Sequence, residues 1–176
     1  MRVSALIVVL AFVPLAQAAT TTCAAPSIDS GVRCLSPTLE GRVVGISDGD
    51  TLTVLDGAKK THKIRLAYID APESAQAFGQ AAKRQLSNFC FDRQAKVVVV
   101  DTDRYQRAVG LVACDGINAN RSMVEAGLAW VYRRYAPVTT SWGAFEVDAR
   151  RARRGLWSDA SPVAPWDYRA AQKVAP

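Results

Sequence analysis

Hydrophobic positions change rhythm several times along this chain of 176 residues, and each rhythm predicts an element. From Glu40 onward the pattern is that of strands. Arg42-Val43-Val44-Gly45-Ile46-Ser47 is the first and Thr51 to Leu55 the second, with Asp56-Gly57 as the turn of a hairpin. His62 to Tyr68 alternates around Ile64, Leu66 and Tyr68, which predicts a third strand. Ala71-Pro72 ends it, because proline cannot donate to a sheet ladder. Phe78, Ala81, Ala82, Leu86, Phe89 and Cys90 then recur at three- and four-residue intervals, predicting a helix with one apolar face. Ala95 to Val100 holds four consecutive valines and reads as a strand buried on both faces. Ala108 to Cys114 is the fifth strand, ended by Asp115-Gly116. Two more helices are predicted over Asn120–Ala126 and Ser141–Arg154, the latter with Trp142, Phe145, Ala149 and Ala152 along one side. Five strands, one interrupting helix and two following helices predict an α+β domain: a small five-stranded barrel with three packed helices.

The first 39 residues follow a different pattern. Met1-Arg2 is a short basic start, Val3 to Leu15 an apolar run, and Ala16-Gln17-Ala18 a small-x-small site. This is the layout of a secretory signal peptide, and the run is short of the roughly 20 residues that span a bilayer. Cleavage after Ala18 is expected, giving an exported protein, periplasmic or secreted. Residues 19–39 carry Pro26, Gly31 and Pro37 without periodicity and read as an N-terminal arm. The expected domain covers residues 40–169, with 170–176 as a tail.

Export changes how the four cysteines read, since an even count in an oxidising compartment suggests two disulfides with three possible connectivities. Cys23 and Cys34 lie together in the arm and are placed to close a local loop. Cys90 ends a helix and Cys114 ends a strand, so a bond between them would staple the two elements. The spacing matches no zinc pattern, and His62 is the lone histidine.

Lysine and arginine number 22 against 16 acidic residues, a formal net charge of +6. Between Arg121 and Trp157 the excess concentrates in Arg121, Arg133, Arg134, Arg150, Arg151, Arg153 and Arg154, opposed by Glu125, Glu146 and Asp148. For any single arginine a solvated helix face is the plain reading. Together they favour a polyanionic partner, nucleic acid or an anionic envelope polymer.

The chemistry is concentrated in Asp48-Gly49-Asp50-Thr51 and in Ile64-Arg65-Leu66 to Ile69-Asp70-Ala71-Pro72-Glu73. Four carboxylates and a guanidinium interleaved with apolar strand residues are costly in a core unless they serve one another or a ligand. If the second and third strands pair, Asp50 and Asp70 converge, Asp48 lies beside them, and the Ala71 backbone carbonyl is a further oxygen. Such hard ligands suit Ca²⁺ or Mg²⁺. Glu73 can reach the same cavity and orient or deprotonate water. Arg65 alternates with Ile64 and Leu66 and so points away from them, a fork suited to phosphate. Asp103-Arg104-Tyr105-Gln106-Arg107 adds a second guanidinium in Arg107, with Arg104 and Tyr105 as backbone and base contacts. Trp130, Tyr132, Arg133, Arg134 and Tyr135 continue the basic and aromatic pattern, Tyr135 being a further substrate contact.

These runs resemble the staphylococcal nuclease (thermonuclease) family. Gly127-Leu128-Ala129-Trp130, Gly155-Leu156-Trp157 and Pro165-Trp166 extend the match, in the family's order, over roughly residues 40–169. The resemblance implies an OB-type five-stranded barrel with three helices and Ca²⁺-dependent hydrolysis of DNA and RNA. It implies Asp50, Asp70 and the Ala71 carbonyl as calcium ligands, with Asp48 in support. Glu73 then positions or activates the attacking water, and Arg65 and Arg107 hold the scissile phosphate. Family members cleave the bond to the 5′-oxygen and leave 3′-phosphates. The chain departs from the family at Gln106, where glycine is usual. Glycine often marks a positive φ, so a shifted turn there would displace Arg107. Ala71 stands where the family has threonine, which is harmless if only the carbonyl binds.

The expected partners are DNA and RNA, with no stable membrane association after signal cleavage and a monomeric state. The alternative is a catalytically weak or inactive OB-fold module that binds nucleic acid. An envelope-polymer binder would rest on charge alone.

Overall fold

The computed structural model describes residues 39–136 and 141–174. The signal-like segment 1–18, the arm up to residue 38, and Cys23 and Cys34 therefore lie outside the described residues. Five strands build the barrel: β1 (Leu39–Ile46), β2 (Thr51–Asp56), β3 (Thr61–Leu66), β5 (Gln94–Thr102) and β6 (Ala108–Cys114). Their order is β3-β2-β1-β5-β6, and a parallel pairing of β3 with β6 closes the ring. The short strands β4 (Ile69–Asp70) and β8 (Trp130–Val131) form a separate antiparallel ribbon, and β7 (Ile117–Asn118) extends the edge of β6. The helices are α1 (Gly79–Cys90), α2 (Ala119–Glu125), α3 (Trp142–Arg151) and α4 (Pro165–Val174).

Inside the ring, Val43, Leu52, Val54, Ile64, Leu66, Val97 and Val112 are buried. From α1, Ala82, Leu86 and Cys90 pack into the same core, as do Met123 and Val124 of α2. Asn120 is fully buried among them and fully engaged. It accepts from the Val112 N–H (2.9 Å) and donates to the carbonyls of Ala67 (3.0 Å) and Gly110 (3.1 Å), tying α2 to the barrel wall. A disulfide joins Cys90 at the end of α1 to Cys114 at the end of β6, the pairing their positions suggested.

The strand pattern stands, with two corrections. The third strand stops at Leu66 instead of running to Tyr68. Tyr68 adopts φ +63°, the chain turns there, and Asp70 lies on β4, paired with Trp130. The valine run of β5 is buried only at Val97 and Val98, while Val99 and Val100 are half-buried. Pairing with β1 covers the strand as far as Val97, and a register shift between Val99 and Asp101 turns the rest outward.

A fourth helix joins the three expected. α4 begins at Pro165, a residue suited to the first helical turn because its missing N–H has no partner there anyway. It continues beyond residue 169, through what the sequence suggests is a tail. Trp166 docks it, stacking on Tyr132 at 5.2 Å and meeting the edge of Trp130 at 5.7 Å.

Candidate active site

The turn between β1 and β2 brings Asp48 and Asp50 to one rim of the barrel. It is tight: the Ser47 N–H reaches the Thr51 carbonyl (2.8 Å), and Asp48 Oδ1 accepts the Asp50 N–H (3.0 Å). Gly49 has to be glycine here, since a Cβ would stand 2.5 Å from the Ala82 Cβ and 2.8 Å from that of Ala71. The turn is therefore pressed against α1 and against the residue following Asp70.

Register then supplies the arginine. β2 and β3 pair with Thr51 opposite Arg65, and the Leu66 N–H bonds the Asp50 carbonyl (2.8 Å). The Arg65 fork lands on two carboxylates at once, Nη1 at 2.5 Å from Asp50 Oδ2 and Nη2 at 2.8 Å from Asp70 Oδ1. Asp50 also accepts from the Thr51 hydroxyl (3.0 Å) and the Ala71 N–H (3.1 Å). Both acids are buried, Asp50 to 6% and Asp70 to 1% exposure, so Arg65 neutralises charge that burial would otherwise make costly.

The second cation is Arg169 of α4. Nη2 lies 2.7 Å from Asp70 Oδ2, and Nη1 lies 2.7 Å from Glu73 Oε1 and 3.3 Å from Asp70 Oδ1. Glu73 itself sits on the loop between β4 and α1. Its N–H meets Gln76 Oε1 (3.2 Å), and Gln76 Nε2 donates to the Val163 carbonyl (2.6 Å) just ahead of α4.

The electrostatics follow from this crowding. Burial and the charge of Asp50 push the Asp48 carboxyl up to about 6. Burial would raise Asp50 as well, but the charge and hydrogen bonds of Arg65 hold it below its ordinary value. Asp70 is raised, burial and the Asp50 charge outweighing its two guanidinium partners. Arg65 and Arg169 are held protonated more firmly than free arginine, against the effect of burial, by the acids they clasp.

Among the described residues no group of three or more acidic, histidine or cysteine side chains closes around one point. The acids converge as a pair, Asp50 and Asp70, with Asp48 and Glu73 alongside. These donors nevertheless fit a hard divalent cation. Asp48, Asp50, Asp70 and Glu73 carry four carboxylates against the two guanidiniums of Arg65 and Arg169, an excess of acid that such a cation balances. Few protein ligands leave room for water on the ion.

The remaining expected residues occupy neighbouring positions without joining this cluster. Arg107 precedes β6, two residues ahead of Val109, the register partner of Arg65. It is paired with Asp103 (Nε–Oδ2, 2.7 Å) in the turn between β5 and β6. Gln106 adopts φ +61°, so the turn keeps the conformation that glycine favours, and the substitution does not unfold it. Arg104 donates to the Tyr105 hydroxyl (2.7 Å), and Tyr105 is 64% exposed on the same turn. Tyr135 is exposed and meets the edge of Tyr132 at 5.0 Å. Beside it lies a cleft of about 400 Å³ lined by Trp130, Tyr132, Arg133, Arg150, Glu146 and Trp166. Glu146, one of the acids set against the arginine-rich stretch, is buried to 2% and bonds Arg133 (2.8 Å) and the Val131 N–H (3.2 Å). Arg169 and Glu146 are the functional-region residues that the sequence pattern missed. Neither carries a local signal, since each meets its partners only through tertiary packing.

A closed OB-type barrel with clamped acids at its rim, flanked by guanidiniums and exposed aromatics, is chemically suited to act on a phosphodiester. Similarity to known proteins agrees. The family described as "Staphylococcal nuclease homologue" matches residues 63–159. A "Micrococcal nuclease" of Shigella flexneri is 42% identical over 145 residues, covering 77% of this chain and 83% of the relative. An "Uncharacterized endonuclease" of Haemophilus influenzae is 42% identical over 133 residues, covering 76% and 74%. Another of that description from Escherichia coli O157:H7 is 43% identical over 134 residues, covering 74% and 85%. The chain belongs to the staphylococcal nuclease family, and it is an endonuclease of the hydrolase type.

Proposed function

We propose that this endonuclease is Ca²⁺-dependent, hydrolyses both DNA and RNA to products with 3′-phosphate ends, and acts after export from the cytoplasm. The observation that carries the reading is the Arg65 fork across Asp50 and Asp70, beside Glu73. Asp50 and Asp70 would hold the ion with the Ala71 carbonyl, and Asp48 supports them. When bound, the ion supplies charge stabilisation at the phosphate. Glu73 orients water and accepts its proton as the oxygen bonds to phosphorus. The bond from phosphorus to the 5′-oxygen breaks, that oxygen leaves and takes up a proton, and the phosphate stays on the 3′ side. Arg65 donates to the phosphate oxygens through N–H groups its carboxylate contacts leave available, a guanidinium having five. Arg107 adds positive charge from the neighbouring rim, and Arg104, Tyr105 and Tyr135 contact flanking nucleotides. Export rests on the N-terminal sequence pattern, and no helix among the described residues is long and apolar enough to cross a membrane. A monomer is sufficient for this chemistry.

Purified protein incubated with single-stranded DNA or RNA, with added Ca²⁺ or with a calcium chelator, tests the proposal. Degradation with Ca²⁺ alone, leaving 3′-phosphate ends, is expected for both polymers. Retarded but intact nucleic acid in both conditions would overturn it in favour of a binding module. Cleavage with Mg²⁺ but not Ca²⁺ would overturn the metal assignment alone.

A further inference from the structure

We infer that Arg169 is a positioning residue for the hydrolytic reaction: it holds the Glu73 carboxylate beside Asp70, making α4 a working part of the active site. This inference rests on the nuclease reading and on Glu73 as the group that handles water.

Glu73 needs an external restraint. It stands on a loop, its side chain is 41% exposed, and a free glutamate there would sample several rotamers. Among the described residues, Arg169 is the one side chain bonded to its carboxylate, at 2.7 Å. The same guanidinium is anchored on Asp70, which is 1% exposed and fixed from the other side by Arg65. Arg169 thus transfers the rigidity of the barrel rim to Glu73. A planar fork with both arms engaged suits that task better than a point charge.

The helix that delivers Arg169 is itself docked through aromatic contacts. Trp166, one turn earlier, stacks on Tyr132 in the aromatic cleft. Pro165 and the preceding Ala164 are buried, and the Gln76–Val163 bond ties the Glu73 loop to the entry of α4. Two contacts ninety-six and eighty-seven residues apart in sequence therefore fasten one loop to one helix. Residues 170–173, by contrast, are exposed. The docked side of α4 is the side that meets the site.

The test is a double-mutant cycle on the full chain at saturating Ca²⁺, using R169Q, R169K, E73Q and E73Q/R169Q with a single-stranded DNA substrate. R169Q is expected to lower kcat by about 10- to 100-fold with KM nearly unchanged, the loss typical of a misplaced group. R169K should recover part of that loss. E73Q/R169Q should be no slower than E73Q, because Arg169 acts through Glu73. Amide exchange across residues 72–78 should quicken in R169Q. Circular dichroism and amide exchange across residues 165–174 report whether α4 stays folded and docked, and R169K keeps the cycle readable if R169Q lets the helix go. Unchanged kcat in R169Q, or losses that multiply in the double variant, would overturn the inference while leaving the nuclease reading intact. Wild-type protein that cuts nothing would overturn both.

Discussion

At the scale of single residues, three positions carry charge or strain whose effect is measurable. Gln106 holds a left-handed conformation, which costs an L-residue about 1–2 kcal/mol relative to glycine. Gln106→Gly is therefore expected to raise stability by up to about 1 kcal/mol, after allowing for glycine's greater freedom when unfolded. Urea denaturation measures it, and a fall in midpoint would show that the glutamine side chain contributes to the turn. Burial and the neighbouring Asp50 charge push the Asp48 carboxyl up to about 6 in the native protein, above the ordinary carboxylate value it has when unfolded. The native state thus holds the extra proton across that window, and stability declines as pH rises through it. In metal-free protein, Asp48→Asn should be the more stable form at pH 7–8, with the advantage fading toward pH 4; equal midpoints at both values would refute it. Arg65 spans two buried carboxylates that one ammonium cannot bridge in the same way. Arg65→Lys should lower kcat about 100-fold, as loss of a preorganised donor does, and lower the melting temperature as well. Steady-state kinetics near wild type would argue against its phosphate contact.

At the scale of elements, the disulfide offers the clearest prediction. Cys90 and Cys114 are 24 residues apart, and closing a loop of that length restricts the unfolded chain by on the order of 3 kcal/mol. Reduction should lower the free energy of unfolding by about that amount while leaving the barrel folded, as read by denaturation with and without reductant. The five barrel strands and α1 to α3 were legible because each carries a period that local sequence expresses. β4 and β8 were not, since two residues cannot show a period and their pairing depends on the turn at Tyr68. α4 was missed for a related reason: it docks through Trp166 and Arg169, whose partners Tyr132 and Asp70 lie far away in sequence. The site divides along the same line. Asp48, Asp50, Arg65, Asp70 and Glu73 fall within 26 residues and announced themselves by clustering. Arg169 lies 99 residues from Asp70, and a lone arginine on a polar helix looks like any solvated one.

For the molecule as a whole, the relevant quantity is its balance of charge. The chain carries a formal +6, and part of its acid is enclosed at the barrel rim with Arg65 and Arg169. The outward field is then more basic than the total. Binding of single-stranded DNA should weaken linearly in log–log terms as salt rises, by about 0.7 for each phosphate neutralised. Fluorescence anisotropy with a noncleavable oligonucleotide measures the slope, and a value near zero would deny the basic face a role in binding.

The parallel seam between β3 and β6 joins residues as distant as Ile64 and Ala108, and such nonlocal pairings form slowly. Arg65 sits on one side of that seam and Arg107 at the mouth of the other. Until the ring shuts, the two guanidiniums belong to separate pieces of chain. Cutting ability should accordingly reappear only with the slowest phase of refolding, as a quenched oligonucleotide would report. A chain whose ring is still open is then harmless to the nucleic acid around it, because its two guanidiniums have not yet been brought to one rim.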